Sequence, residues 1–86
     1  MRVKTEAARI LHERKIKPEG HELDRQRLDR TNLIVLKTAI DRHIASAAGR
    51  KLGERSEYTR PQLDLIDAQF EAIVDKAVQE IFDASH

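Results

Sequence analysis

The 86-residue sequence predicts an all-α protein of three helices, a long antiparallel helical hairpin with a short N-terminal helix packed across it, two such hairpins pairing into a dimeric helical bundle. Three observations lead there. Apolar residues recur at three- and four-residue steps along most of the chain. Aromatic residues are only 3% (Tyr58, Phe70, Phe82), so the core must be built from Leu, Ile, Val and Ala, which pack well between helices and disfavour a β-sandwich. Pro18 with Gly20, Gly49 with Gly53, and Pro61 punctuate the chain into helix-length pieces. The length allows one domain, 1–86, which buries a smaller share of its surface than a larger protein does.

The first helix is predicted over about residues 5–17, with Thr5 as N-cap and Glu6 in the first turn. Its stripe is Ala7, Ile10 and Leu11, extended by Val3, and it stops before Pro18, which pushes Lys17 toward extended geometry. Lys17 to His21 then reads as a connector. With so narrow an apolar face, this helix leans on the rest of the chain for stability.

The second helix is predicted over about 24–48, with Gly49 as its C-terminal cap. Leu33, Leu36, Ile40, His43 and Ala47 form a coiled-coil-like seam, with Ile34, Val35 and Ile44 beside it. Four consecutive apolar residues, Leu33 to Leu36, predict burial around most of the circumference there. Asp24 to Asn32 is polar except for Leu28, so it is either an exposed first part of the helix or a separate short turn.

Arg50 to Tyr58 reads as a loop, and Thr59 with Gln62 forms a capping box that starts a third helix over about 60–84, with Pro61 in its first turn. Leu63, Ile66, Phe70, Ile73 and Ala77 make its seam, widened by Val74, Val78, Ile81 and Phe82. That face is too wide for one neighbour, and each large side chain left exposed forfeits roughly 1.5–3 kcal/mol. Twofold self-association is the simplest remedy. The expected dimer or partner interface is Leu33, Leu36, Ile40, His43, Ile44, Ile66, Phe70, Ile73, Val74, Ala77 and Ile81.

Charge is unevenly distributed. Residues 1–60 hold 15 Lys and Arg against 9 Asp and Glu, whereas residues 61–86 hold 1 against 6. Such a split either neutralises itself by packing, the favoured reading, or marks contact with another macromolecule. Arg14, Lys15, Lys17, Arg50, Lys51, Arg55 and Arg60 are the candidate nucleic-acid contacts. Glu13, Glu19, Glu54 and Glu57 interrupt them and there is little aromatic surface for stacking, so a solvated surface is preferred over nucleic-acid binding. Asp64, Asp67, Glu71 and Asp75 run down one side of the third helix and are expected to face Arg30, Lys37 and Arg42, or a partner.

Chemistry is harder to find. There is no cysteine, hence no disulfide or thiolate zinc site. His12 beside Glu13 and His21 beside Glu22 are adjacent pairs, and adjacent residues do not share a helix face as metal ligands must, so no metal is expected. His43, on the seam, reads as a partly buried histidine hydrogen-bonded across an interface, with a pH-sensitive contact as the sharper alternative. Ser46, Ser56 and Ser85 lack any nucleophile motif, so neither an enzyme nor a cofactor is expected. No signal-peptide or membrane-spanning run is present, and the expectation is a cytoplasmic protein.

Ala47, Ala48, Gly49, Arg50 and Lys51, ending the middle helix, resemble the corresponding helix end of archaeal histones. The resemblance implies a dimer that wraps DNA with basic loops; it covers five residues, and both the following loop and the third helix are longer than in that family. The function expected from the residues themselves is a non-enzymatic helical interaction or regulatory module, acting as a homodimer or a partner-bound subunit. A small dimeric DNA-binding protein is the alternative.

Overall fold

A computed structural model describes residues 3–49 and 58–82. Among the described residues the chain is all-helical with four helices: α1 (Val3–Glu13), α2 (Asn32–Ala48), α3 (Arg60–Ala68) and α4 (Phe70–Phe82). It divides into two compact units, Met1–Thr38 and Ala39–His86, to both of which α2 contributes. The first expected helix differs from the observed one at both ends, the second at its start, and the third by a break within it.

In the first unit, α1 is already helical at Val3, ahead of the expected Thr5 cap, and ends at Glu13 rather than Lys17. The early stop is a backbone event without a glycine. Lys15 takes a left-handed conformation, φ 58, its amide donates to the His12 carbonyl at 3.1 Å, and the Ile16 amide donates to the Leu11 carbonyl at 2.9 Å. Those two bonds make a Schellman closure, a position that usually selects glycine. Val3, Ala7, Ile10 and Leu11 are buried at helical spacing, and Arg9 bridges Glu6 and Glu13 on the exposed side.

Residues 14–31 form an ordered connector, so the second helix begins at Asn32 and not near Asp24. Of the two readings left open for Asp24 to Asn32, the non-helical one holds. Its first half sits on the start of α2. The Asn32 amide donates to the Gly20 carbonyl at 2.7 Å and the Leu33 amide to the Pro18 carbonyl at 3.1 Å. Thr31 is the N-cap: its hydroxyl accepts from the Ile34 amide at 3.3 Å, and its carbonyl from the Val35 amide at 3.0 Å. The amide donors that a helix start leaves without intrahelical partners are thereby matched by loop carbonyls and a hydroxyl.

The second half of the connector wraps a buried carboxylate. Asp24, 6% exposed, accepts the amides of Leu28 at 2.8 Å and Arg30 at 2.9 Å, and pairs with the Arg30 guanidinium at 2.9 Å. Arg27 and Asp29 are both left-handed, φ 54 and 59, which bars a helix through this stretch. The Arg30 amide holds the Asp24 carboxyl down to about 2 against the opposing effect of burial, helped by the Arg30 side chain and the Leu28 amide.

In the second unit, α2 ends at Ala48 with Gly49 left-handed, φ 70, its amide donating to the Ser46 carbonyl at 3.2 Å, as the sequence predicts. The capping box is formed: the Gln62 amide donates to the Thr59 hydroxyl at 3.4 Å and the Thr59 amide to the Gln62 side-chain oxygen at 2.8 Å. The same glutamine donates to the Ala48 carbonyl at 3.0 Å, tying the start of α3 to the end of α2. The expected single helix over 60–84 is instead two. Gln69, at φ −109 and ψ 13, leaves the α region between α3 and α4, although its amide still reaches the Leu65 carbonyl at 3.0 Å. No proline or glycine marks the break; the residues beyond Phe82 lie outside the described ones.

The buried faces also differ in phase from the expected seams. On α2 the buried residues are Asn32, Val35, Leu36, Ala39, Ile40, Asp41, Ile44 and Ala45, while Leu33, His43 and Ala47 are partly exposed and Ile34 is 48% exposed. Burial is therefore one-sided even through the Leu33 to Leu36 run. On α3 and α4, Ile66, Phe70, Ile73, Val74 and Ala77 are buried, whereas Leu63 is 36% exposed.

Candidate functional site

Three places gather polar chemistry, and each is built within one unit. The first is a cleft of about 390 Å³ in the connector, lined by Lys15, Ile16, Lys17, Glu22 and Leu23. Asn32 stands behind it, fully buried, and reaches three of those five residues. Its side-chain nitrogen donates to the Lys17 carbonyl at 2.8 Å and to Glu22 Oε2 at 2.6 Å, and its oxygen accepts the Leu23 amide at 2.9 Å. The Asn32 bond lowers the Glu22 carboxyl from its ordinary value, so Glu22 is ionised at neutral pH. The His21 ring donates through Nδ1 to the Arg30 carbonyl at 2.8 Å and so joins the two halves of the connector.

The second place is where α4 returns to α2. Glu80 accepts from Arg42 through both oxygens, at 2.6 and 3.3 Å, and lies 3.1 Å from His43 Nε2. With Ser46 these residues line a cleft of about 220 Å³. Burial pushes the Glu80 carboxyl up, but the hydrogen bonds from Arg42 and His43 together outweigh it and leave it lowered. The expected interface histidine thus finds its partner inside its own chain. Because these side chains are a quarter to a half exposed, the Arg42–Glu80 pair is a surface ion pair of modest strength.

The third is the outer face of α3 and α4, where Asp64, Asp67, Glu71 and Asp75 are all exposed. Two of the expected counter-charges are engaged elsewhere, Arg30 with Asp24 and Arg42 with Glu80. Asp64 lies 3.5 Å from Arg60 of its own helix, a highly exposed pair.

Of the expected interface residues, Leu36, Ile40, Ile44, Ile66, Phe70, Ile73, Val74 and Ala77 are buried within the single chain; Leu33, His43 and Ile81 are partly exposed. Of the candidate nucleic-acid contacts, Arg14, Lys15, Lys17 and Arg60 are exposed, with Lys15 and Lys17 together at the connector cleft, while Arg50, Lys51 and Arg55 lie outside the described residues. The helix end that resembles archaeal histones is present as Ala47, Ala48 and the Gly49 cap. His12 is exposed, and among the described residues no group of three or more histidine, aspartate or glutamate side chains is placed to hold a metal ion. No helix among them is long and apolar enough to cross a membrane.

Asn32 and Asp24, the two residues that organise the connector, are not among those the sequence singles out. Thr31 and Asn32 directly before an apolar run are a helix-start signal that would have revealed the first of them. Glu80 carries no such signal, since its partners are 37 and 38 residues away. Compared with protein-family models, with curated proteins and with solved structures, the chain matches none.

Proposed function

We propose that this protein is a non-enzymatic interaction module that docks a positively charged partner on the acidic outer face of α3 and α4. One observation carries the reading: Asp64 and Asp67 on α3 and Glu71 and Asp75 on α4 are all exposed, while two arginines expected to neutralise them are engaged elsewhere. A run of like charge on a helix face raises the local concentration of oppositely charged partners and speeds their association. Self-association belongs to the same reading, with a changed surface. The seam expected to pair two hairpins is largely interior, so a homodimer would draw on charged faces and on the exposed Leu28, Ile34, Leu63 and Leu65 instead. The module is taken to work in the cytoplasm.

The DNA-binding alternative draws support from exposed Arg14, Lys15 and Lys17. It gains none from the starts of α2 and α3, whose amides are met by Pro18, Gly20 and Thr31 in one case and by the Thr59–Gln62 box in the other. The deciding experiment is calorimetric titration of the full chain with a decalysine peptide and with duplex DNA at low and high salt, alongside native mass. Saturable, salt-sensitive binding of the peptide, lost in the Asp67→Lys, Glu71→Lys double variant, supports the acidic face. Binding of DNA alone overturns it in favour of the alternative.

A further inference from the structure

The connector cleft has features of a prepared binding site. Every residue lining it is held by a bond to its own backbone or side chain. The Lys15 amide is bonded to His12 and the Ile16 amide to Leu11; the Lys17 carbonyl, Glu22 carboxylate and Leu23 amide are all bonded to buried Asn32. The backbone around the cleft is therefore held in place before a ligand enters, and about 390 Å³ is within the size range of small-molecule sites. Lys15 occupies a left-handed position, φ 58, that glycine would fill with less strain, so the chain keeps an ammonium at the cleft at the expense of stability.

The lining states what would fit. Ile16, Leu23 and the lysine stems are apolar, Lys15 and Lys17 supply two cations, and Glu22 supplies one anion whose Oε2 is turned to Asn32. The balance is net positive over an apolar floor. Lacking any aromatic ring, the lining has no platform for a nucleobase.

We propose that the cleft lined by Lys15, Ile16, Lys17, Glu22 and Leu23 binds a small amphiphilic carboxylate, its alkyl chain on Ile16 and Leu23 and its head group between the Lys15 and Lys17 ammonium groups. The proposal is independent of the acidic face of α3 and α4. It concerns a different unit and a ligand of opposite charge to that face's partner.

The test is titration of the full isotopically labelled chain with octanoate, octanol and acetate, followed by amide chemical shifts. Octanoate should produce saturable shifts concentrated at residues 15–17 and 22–23, with octanol about twofold to fivefold weaker, the ratio expected for one exposed ion pair, and acetate without effect. Lys17→Gln should weaken octanoate and leave octanol unchanged. Lys15→Gly should weaken octanoate while raising the unfolding midpoint, which separates lost binding from lost folding. No saturable shift at these amides with millimolar octanoate, or equal binding of octanol and octanoate, overturns the proposal.

Discussion

Replacing Asn32 by alanine removes the side chain on which the connector is built. In the folded protein that side chain makes three hydrogen bonds from a fully buried position: to the Lys17 carbonyl at 2.8 Å, to Glu22 at 2.6 Å and from the Leu23 amide at 2.9 Å. The Lys17 carbonyl keeps a bond from the Gly20 amide at 3.2 Å, so it is only partly deprived; the Leu23 amide loses the Asn32 oxygen. At about 1 kcal/mol for each of the two backbone bonds, and somewhat more where a polar group is left dry, the loss is about 2–3 kcal/mol. For a domain of this size that is a large fraction of a total of roughly 4–13 kcal/mol.

Urea unfolding followed by helical circular dichroism measures it. With a slope of about 1 kcal/mol per molar urea, the midpoint should fall by about 2–3 M. Asn32→Asp is the sharper comparison. It keeps the acceptor for Leu23 but places a second carboxylate oxygen against Glu22 and the Lys17 carbonyl, so at neutral pH it should be no more stable than the alanine variant. If both variants unfold within about 0.5 kcal/mol of the parent, which is the range of an ordinary surface substitution, then Asn32 does not organise the connector and the account given for it is wrong.

Four further outcomes follow from the same geometry. Lys15→Gly should raise stability by about 0.5–1 kcal/mol, because relief of the left-handed penalty exceeds the added freedom of the unfolded chain; thermal or urea unfolding showing a loss would contradict the Schellman closure at that residue. Asp24 has its carboxyl lowered from 3.8 to about 2, so its contribution is fully present above about pH 4 and is lost as the pH falls through about 2; the acid limb of the stability profile should flatten in Asp24→Ala. Thr59→Ala should cost about 1 kcal/mol and speed amide exchange at Gln62, while Arg42→Ala should cost less than about 1 kcal/mol because its pair with Glu80 is exposed.

The features legible from the linear order of residues are those decided by neighbours a few positions apart. The all-α class comes from apolar spacing, the Gly49 cap from the one residue type that takes φ 70 without strain, and the Thr59–Gln62 box from two side chains within one turn of each other. The tertiary structure decided the rest. Left-handed Lys15, Arg27 and Asp29 turned helical-looking sequence into an ordered connector, because Asp24 and Asn32 offered its backbone better partners than a helix would. The break at Gln69 carries no residue signal, and the bonds of Glu80 to Arg42 and His43 span a separation over which periodicity is silent. Spacing can tell which residues share a helix face; which face is covered, and by what, depends on groups brought together from distant parts of the chain. Most of the apolar seam residues expected at a dimer or partner interface are accordingly buried within the single chain.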